Sequence, residues 1–338
     1  MIEFATIILI RKRTKQMHIK KFLIVFLFTF ISWANAYEKN TQTKRIVYIV
    51  DNLEIPFWQI MEKGIKNSCE DLGYKLSVLD SHNNHKKELE NTVKAITDKV
   101  DGIILSPINS YSAEIILKLA KEANIPVVVS DAGTKNKSYV SYISSDNKLG
   151  AYNLGIYLTN ELSKKGYKNA KVGIIALPQK KLITQARTAG FIEALEESPF
   201  KSADLKQVKT RTEEETYILV KNMIKSYPDL HAIWLQSSKT YRAAIKAIND
   251  FNKQNEISLI TFDLEPEFLE LIPKNIILAA AVQQPFIMGK LALEQINNYI
   301  KGKKVQKEIQ LPVNIITADN IKQKTYFIEH NVLGIESN

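Results

Sequence analysis

The residues of this 338-residue chain best suited to chemistry are polar and aromatic side chains standing directly after short apolar runs. In the first half they are Asp51, Asn52, Pro56, Phe57 and Trp58, then Asp80, Ser81, Asn83 and Asn84, then Ser106 and Asn109, then Ser130 and Asp131. The second half supplies residues 179–187, Gln236, Ser237, Ser238, Asp263, Glu265, Gln283 and Gln284. Amides, hydroxyls and carboxylates hydrogen-bond hydroxyl-rich or cationic ligands, while a flat ring packs on the apolar face of a sugar or on a methylated cation. The inventory suits recognition. No Walker loop, G-x-G-x-x-G or G-x-S-x-G occurs, and Cys69 sits in a helix-patterned stretch without an evident His partner, so neither an enzyme nor a cofactor is expected. His82 and His85 flank two Asn, but a zinc site needs three or four ligands, and a solvated loop is the expectation there rather than a metal site.

The apolar runs that position these residues alternate with longer stretches of helical spacing. Strands are expected at 45–50, 75–79, 102–105, 126–129, 172–177, 232–235 and 258–262, with helices at 57–72 and 89–100 after the first two. Continuous apolar strands joined by helices imply an α/β fold, a parallel sheet covered on both faces. The halves also repeat: DGIILSP is matched by HAIWLQS, and IPVVVSD by ISLITFD, in the same order. In open parallel sheets ligands sit outside the carboxyl ends of the strands, so two such units facing each other make a cleft.

At the N-terminus, Arg11, Lys12, Arg13, Lys15, Lys20 and Lys21 precede the apolar run FLIVFLFTFI, and Ala34 and Ala36 then form the A-x-A pattern of a signal peptide. Cleavage after Ala36 and a periplasmic location are expected. The run is about half the roughly 20 residues of a membrane-spanning helix, which argues against a retained anchor. Met17 opens a conventional signal peptide and is a second candidate start. Removing residues 1–36 leaves 302 residues, which suggests two domains. The removed segment carries six Lys/Arg and one acid, so the formal net charge falls from +10 to about +5. The remaining lysines are interleaved with acids, as at Lys86, Lys87, Glu88 and Glu90, and no nucleic-acid stripe is present. A single cysteine forms no intramolecular disulfide, and Tyr37 at the expected cleavage site excludes a lipid anchor there.

Several longer segments then stand out: PFW at 56–58, GYKLSVLDSHNN at 73–84, ANIPVVVSD at 123–131, SSDN at 144–147, RTAGF at 187–191 and FD at 262–263. Through them the mature sequence resembles, over nearly all its length, the periplasmic sugar-binding proteins of the ribose-binding type, the type I periplasmic binding proteins. The resemblance implies two doubly wound parallel-sheet lobes joined by a three-strand hinge, with crossings near Asp146, Gln284 and Pro312. It implies a first lobe of residues 44–146 plus 285–312 and a second of 147–284 plus 313–338. It further implies that Phe57 and Trp58 pack on the ligand and that Asp131, Asp263 and Gln283 hydrogen-bond it. There are three departures from the family pattern. Ala132 and Gln185 stand where ribose-type proteins carry ligand-binding Arg, and Ser237 and Ser238 replace an Asn-Asp. Each charge-assisted bond is worth roughly 1.5–3 kcal/mol, so losing both guanidiniums argues against ribose itself. Gln185, Arg187 and Ser237 complete the candidate site.

Other roles compete for the same residues. Phe57 and Trp58 also suit a helix start buried in a core, Asp131 and Asp263 suit helix N-caps, and Arg187 suits a salt bridge pinning its helix. The expected function is a monomeric solute-binding protein that closes on a small polar ligand and serves the permease of an ABC importer. Trp58 also resembles sensor relatives that present trimethylamine N-oxide or autoinducer-2 to a membrane histidine kinase. A repressor of the same fold is opposed by the export signal and by the lack of an N-terminal helix-turn-helix.

Overall fold

In the computed structural model, residues 43–335 are described. The expected signal peptide, its cleavage after Ala36 and the choice of start lie outside them. The strands are β1 (Arg45–Val50), β2 (Lys75–Asp80), β3 (Gly102–Ser106), β4 (Val127–Ser130), β5 (Ser141–Ser145), β6 (Lys171–Ala176), β7 (Lys201–Gln207), β8 (Leu230–Leu235), β9 (Ser258–Phe262), β10 (Ala279–Val282), β11 (Glu308–Leu311) and β12 (Asn314–Thr317). They form two six-stranded sheets, ordered β11-β5-β4-β3-β1-β2 and β12-β10-β9-β8-β6-β7. Position for position the orders match, with β3 beside β8 and β4 beside β9 in the repeat seen in the sequence.

The central strands are apolar throughout because helices cover both faces. Ile46, Tyr48 and Val50 of β1 point into one cluster with Ile65, Ile104 and Leu293, and Val47 and Ile49 into another with Ile103, Leu117 and Val129. In the second lobe Ile174 and Ile175 of β6 divide in the same way between two clusters. Each sheet thus carries a core cluster on both of its faces, and the two lobes have separate cores, as a chain of this length requires.

The first helix, Pro56–Leu72, opens on a proline and closes on Gly73, whose φ of 68° lets its N–H reach the carbonyls of Cys69 and Glu70. The helix expected from residue 89 begins earlier, at His85, because the Asn84 side chain accepts the N–H groups of Lys86 and Lys87. Helix Pro56–Leu72 packs against helix Pro285–Ile300. Their backbones touch: a Cβ on Gly64 would lie 2.2 Å from the Phe286 carbonyl oxygen, and one on Gly289 would lie 2.2 Å from that of Met61.

Three connections pass between the sheets: from β5 into helix Asn147–Lys164, from β10 into helix Pro285–Ile300, and from β11 to β12. They are bonded together, with the Asp146 N–H donating to the Leu311 carbonyl at 3.0 Å and the Gln284 amide donating to the Pro312 carbonyl at 3.1 Å. One strand departs from the all-parallel expectation, since β12 runs antiparallel to β10. The reason is geometric. The direct connection from β11 leaves the carboxyl edge of the first sheet and enters the second by its carboxyl edge, so it must run backwards. Among the described residues no helix is long and apolar enough to cross a membrane.

Candidate functional site

The carboxyl ends of strands from both sheets surround a cavity of about 80 Å³, room for one small solute rather than an extended chain. The first lobe contributes Asp51 after β1, Phe57 and Trp58 at the start of helix Pro56–Leu72, and Asp131 after β4. The second contributes Lys181 and Arg187 around the start of helix Leu182–Glu196, Ser237 after β8, Asp263 after β9 and Gln283 after β10. Seven of the eight residues singled out from the sequence therefore line one cavity.

Gln185 is the exception. It is exposed, and its amide donates to the Gln179 carbonyl at 2.9 Å. On helix Leu182–Glu196 the buried face carries Thr184 and Arg187, three residues apart, and Gln185 is rotated about 100° away from Thr184.

Asp131 and Asp263 occupy equivalent places in the two lobes. Both have left-handed backbone, φ 68° and 70°, and both donate their N–H to the neighbouring strand, to Ile143 at 2.9 Å and Ala281 at 2.8 Å. Left-handed backbone in a non-glycine residue costs energy and collects at functional sites. Neither residue caps a helix: β4 is followed by a strand, and the helix after β9 has Glu267 at its N-cap. The N-cap alternative is therefore set aside.

The charges are tightly arranged. Lys181 Nζ lies 2.7 Å from Asp51 Oδ2, with the Asp51 side chain buried and that of Lys181 11% exposed. Arg187 Nη1 lies 3.8 Å from Asp263 Oδ2, and Gln283 donates to Asp263 Oδ1 at 2.8 Å. Arg187 also donates to Asn147 Oδ1 at 2.7 Å and to the Gln236 carbonyl at 3.0 Å, and its guanidinium stacks 3.8 Å above the Phe262 ring. It pins its helix and lines the cavity at once. Burial pushes the Asp131 carboxyl up to about 6, against the pull of Arg187 and Lys181. Burial raises Asp263 too, opposed by Arg187 and by the Gln283 hydrogen bond. On three of the lining residues a buried oxygen has no hydrogen-bond partner among the described residues: Asp51 Oδ1, Asp131 Oδ1 and Gln283 Oε1. All three are acceptors.

Phe57 and Trp58 meet edge to face, ring centroids 4.9 Å apart. Trp58 is 5% exposed and belongs to the first-lobe core, so it serves the core and the cavity wall together, whereas Phe57 is only half-buried. His82 lies against Asp80 at 3.2 Å, and His85 against Glu88 at 3.9 Å. Cys69 is buried, and burial pushes its thiol up to about 12.

The sequence points to Lys181 only within the stretch 179–187 and not to Arg211 or Lys239, yet all three line the cavity. Inspecting residues after each expected strand reaches Lys239, just beyond β8, but not Arg211, which follows β7, a strand the sequence does not signal. Gln236 proves to be scaffold: it accepts the Leu177 N–H at 2.9 Å and donates to the Thr184 carbonyl and the Thr188 hydroxyl, holding the loop after β6 in place.

Two parallel-dominated α/β lobes around a small cleft of carboxylates, amides and aromatic rings define a bilobal binding protein. The chain belongs to the periplasmic binding protein domain family, whose model matches residues 46–304. Within it the likeness is to the ribose-binding type. The ribose import binding protein RbsB of Bacillus subtilis (strain 168) is 27% identical over 272 residues, 79% of this chain and 85% of that protein. RbsB of Escherichia coli (strain K12) is 27% identical over 288 residues, 84% and 92% of the two chains. Among solved structures, GanP, a glucose-galactose binding protein from Geobacillus stearothermophilus, superimposes with a TM-score of 0.73 at 24% identity, covering 83% of this chain and 99% of that one. A galactofuranose binding protein gives 0.77 at 19% identity, covering 85% and 98%. At these identities the structures speak for the fold.

Proposed function

We infer that the chain is an exported solute-binding protein that captures a sugar of monosaccharide size by closing its two lobes and delivers it to the permease of an ABC importer. The observation that carries this reading is the set of three buried, unpartnered acceptors, Asp51 Oδ1, Asp131 Oδ1 and Gln283 Oε1, in a cavity walled by Phe57 and Trp58. A buried acceptor without a donor is costly, so the fitting ligand brings hydroxyls and an apolar face. Trimethylamine N-oxide brings no O–H or N–H donor and suits these atoms poorly. The relatives named as import binding proteins support delivery to an importer.

Ligand bridging Asp131 on one lobe and Asp263 and Gln283 on the other binds the closed state more tightly and shifts the equilibrium toward it. The lobes, 44–146 plus 285–312 and 147–284 plus 313–338, turn about the crossings near Asp146, Gln284 and Pro312. A thermal-shift screen of the mature chain with pentoses, hexoses, sugar acids, polyols and methylamine oxides tests the reading. A sugar at about 100 times its Kd is expected to raise Tm by roughly 5 °C. A response to methylamine oxides alone would overturn it.

A further inference from the structure

The cavity holds more positive than negative charge. Its lining carries three carboxylates, Asp51, Asp131 and Asp263, against four cations, Lys181, Arg187, Arg211 and Lys239. Lys181 is taken by Asp51 and Arg187 faces Asp263. The side chains of Arg211 and Lys239 have no ion pair or hydrogen bond among the described residues. Glu265 lines an adjoining smaller cavity, which Lys239 and Asp263 also border, and accepts the Ser238 hydroxyl at 2.7 Å.

Both cations are presented by built loops rather than by loose surface. The Glu215 carboxylate gathers the N–H groups of Lys209, Thr210 and Arg211, at 2.7, 2.7 and 3.0 Å, and so fixes the loop after β7. Arg211 sits in that loop at φ 57°, a left-handed backbone that a non-glycine residue rarely adopts. Lys239 lies in the short turn after β8, with its N–H on Ser237 Oγ at 3.4 Å. The two loops are joined, since Thr216 in the helix after Arg211 donates to Thr240, next to Lys239, at 2.9 Å. Two unpaired like charges on neighbouring loops of one cavity repel unless an anion lies between them.

The opposite wall differs. Asp131 is already in the field of Arg187 and Lys181, and its free oxygen needs a donor rather than another cation. A neutral sugar leaves the cavity with one surplus positive charge, and a cationic ligand leaves it with two. A monoanionic sugar removes it.

Resting on the sugar-binding reading above, we propose that the ligand is an anionic monosaccharide, its hydroxyls donating to Asp131 and Gln283 and its acidic group held between Arg211 and Lys239. The acidic group is a carboxylate or a phosphate, and both meet the same two cations.

The test is calorimetric titration of the mature chain with D-galacturonate, D-glucuronate and D-gluconate, with glucose 6-phosphate, and with the neutral parents D-galactose and D-glucose. At least one anionic sugar is expected to bind tenfold or more tightly than its parent. The ratio of anionic to neutral affinity should collapse in Arg211→Gln and in Lys239→Gln, and survive in Arg211→Lys. Thermal melts of each variant separate loss of preference from loss of fold, and the charge-conserving variant keeps the comparison open if a glutamine variant fails to fold. Carboxylate and phosphate arms identify which anion is meant. A neutral sugar binding at least as tightly as every acid, with a ratio untouched by the glutamine variants, overturns this proposal and leaves the sugar reading standing. No binding by either class removes both.

Discussion

The Lys181 ammonium lies 2.7 Å from the Asp51 carboxylate, and the two residues come from opposite lobes of the molecule. The pair is therefore a latch supplied by the protein itself, made across the cleft without help from a ligand. Asp51 is buried and Lys181 largely shielded, so a lone carboxylate left behind would be strongly unfavourable.

Removing one partner should act on opening before unfolding, because separated lobes let the survivor return to water. Lys181→Met is expected to shift the ligand-free protein toward open forms and to weaken ligand binding about tenfold through the smaller closed population. Distances between spin labels on the two lobes read the shift. An unchanged distance distribution together with unchanged affinity would sink the latch.

Asp131 sets a pH dependence. Its carboxyl holds its proton more tightly folded than unfolded, with a value raised from 3.8 to about 6 by burial. The ligand-free protein therefore loses stability as pH climbs between those values and stays at the lower level above them. Asp131→Asn relieves the buried charge, so it should stabilise the ligand-free protein by up to about 3 kcal/mol at pH 7.5 and by little at pH 3.5. Ligand affinity should fall tenfold or more. Urea unfolding at the two pH values decides it, and a variant weaker than the parent at pH 7.5 contradicts the account.

The two aromatic residues should separate in their effects. Trp58 is part of the first-lobe core, so Trp58→Ala is expected to cost about 3–5 kcal/mol of stability as well as affinity. Phe57 is half-buried, so Phe57→Ala should lower affinity with a much smaller loss of stability. Chemical denaturation alongside calorimetry distinguishes them, and equal stability losses would show that Phe57 is a core residue.

Within one helix, Gln185 and Arg187 offer a further contrast. Gln185→Ala is expected to leave ligand affinity within about twofold, since its amide only ties down the loop carbonyl of Gln179. Arg187→Ala removes the cation facing the Asp263 carboxylate, which keeps only the Gln283 hydrogen bond, and the donor to the Gln236 carbonyl, and should cost several kcal/mol. Any clear affinity loss in Gln185→Ala would return that residue to the site.

Much of the fold was legible because the buried central strands are short apolar runs, and β1, β4, β9 and β10 each place their following residue at the cleft. Edge strands were harder. β7, KSADLKQ, is exposed on most of its length, so its composition is that of a solvated surface and carries little strand signal. β12 is short, and its reversed direction follows from the crossing after Pro312 rather than from its own residues. At the site, Asp131 and Asp263 were readable from the repeated strand endings. Gln185 does not line the cavity because the helix turns it away from its neighbour Thr184. The Asp51–Lys181 pair was invisible because its members lie 130 positions apart and meet only through the assembled lobes.

Cys69 is the chain's single cysteine, and it is buried with its thiol held near 12. A thiolate is the form that reacts with labelling reagents, so the native sulfur is almost silent toward them at neutral pH. An introduced surface cysteine beside the cleft would thus take up a fluorophore alone, in an otherwise unaltered sequence. Movement of one lobe against the other then becomes an optical signal, and the molecule is already laid out as the frame of a reagentless sensor for whatever it binds.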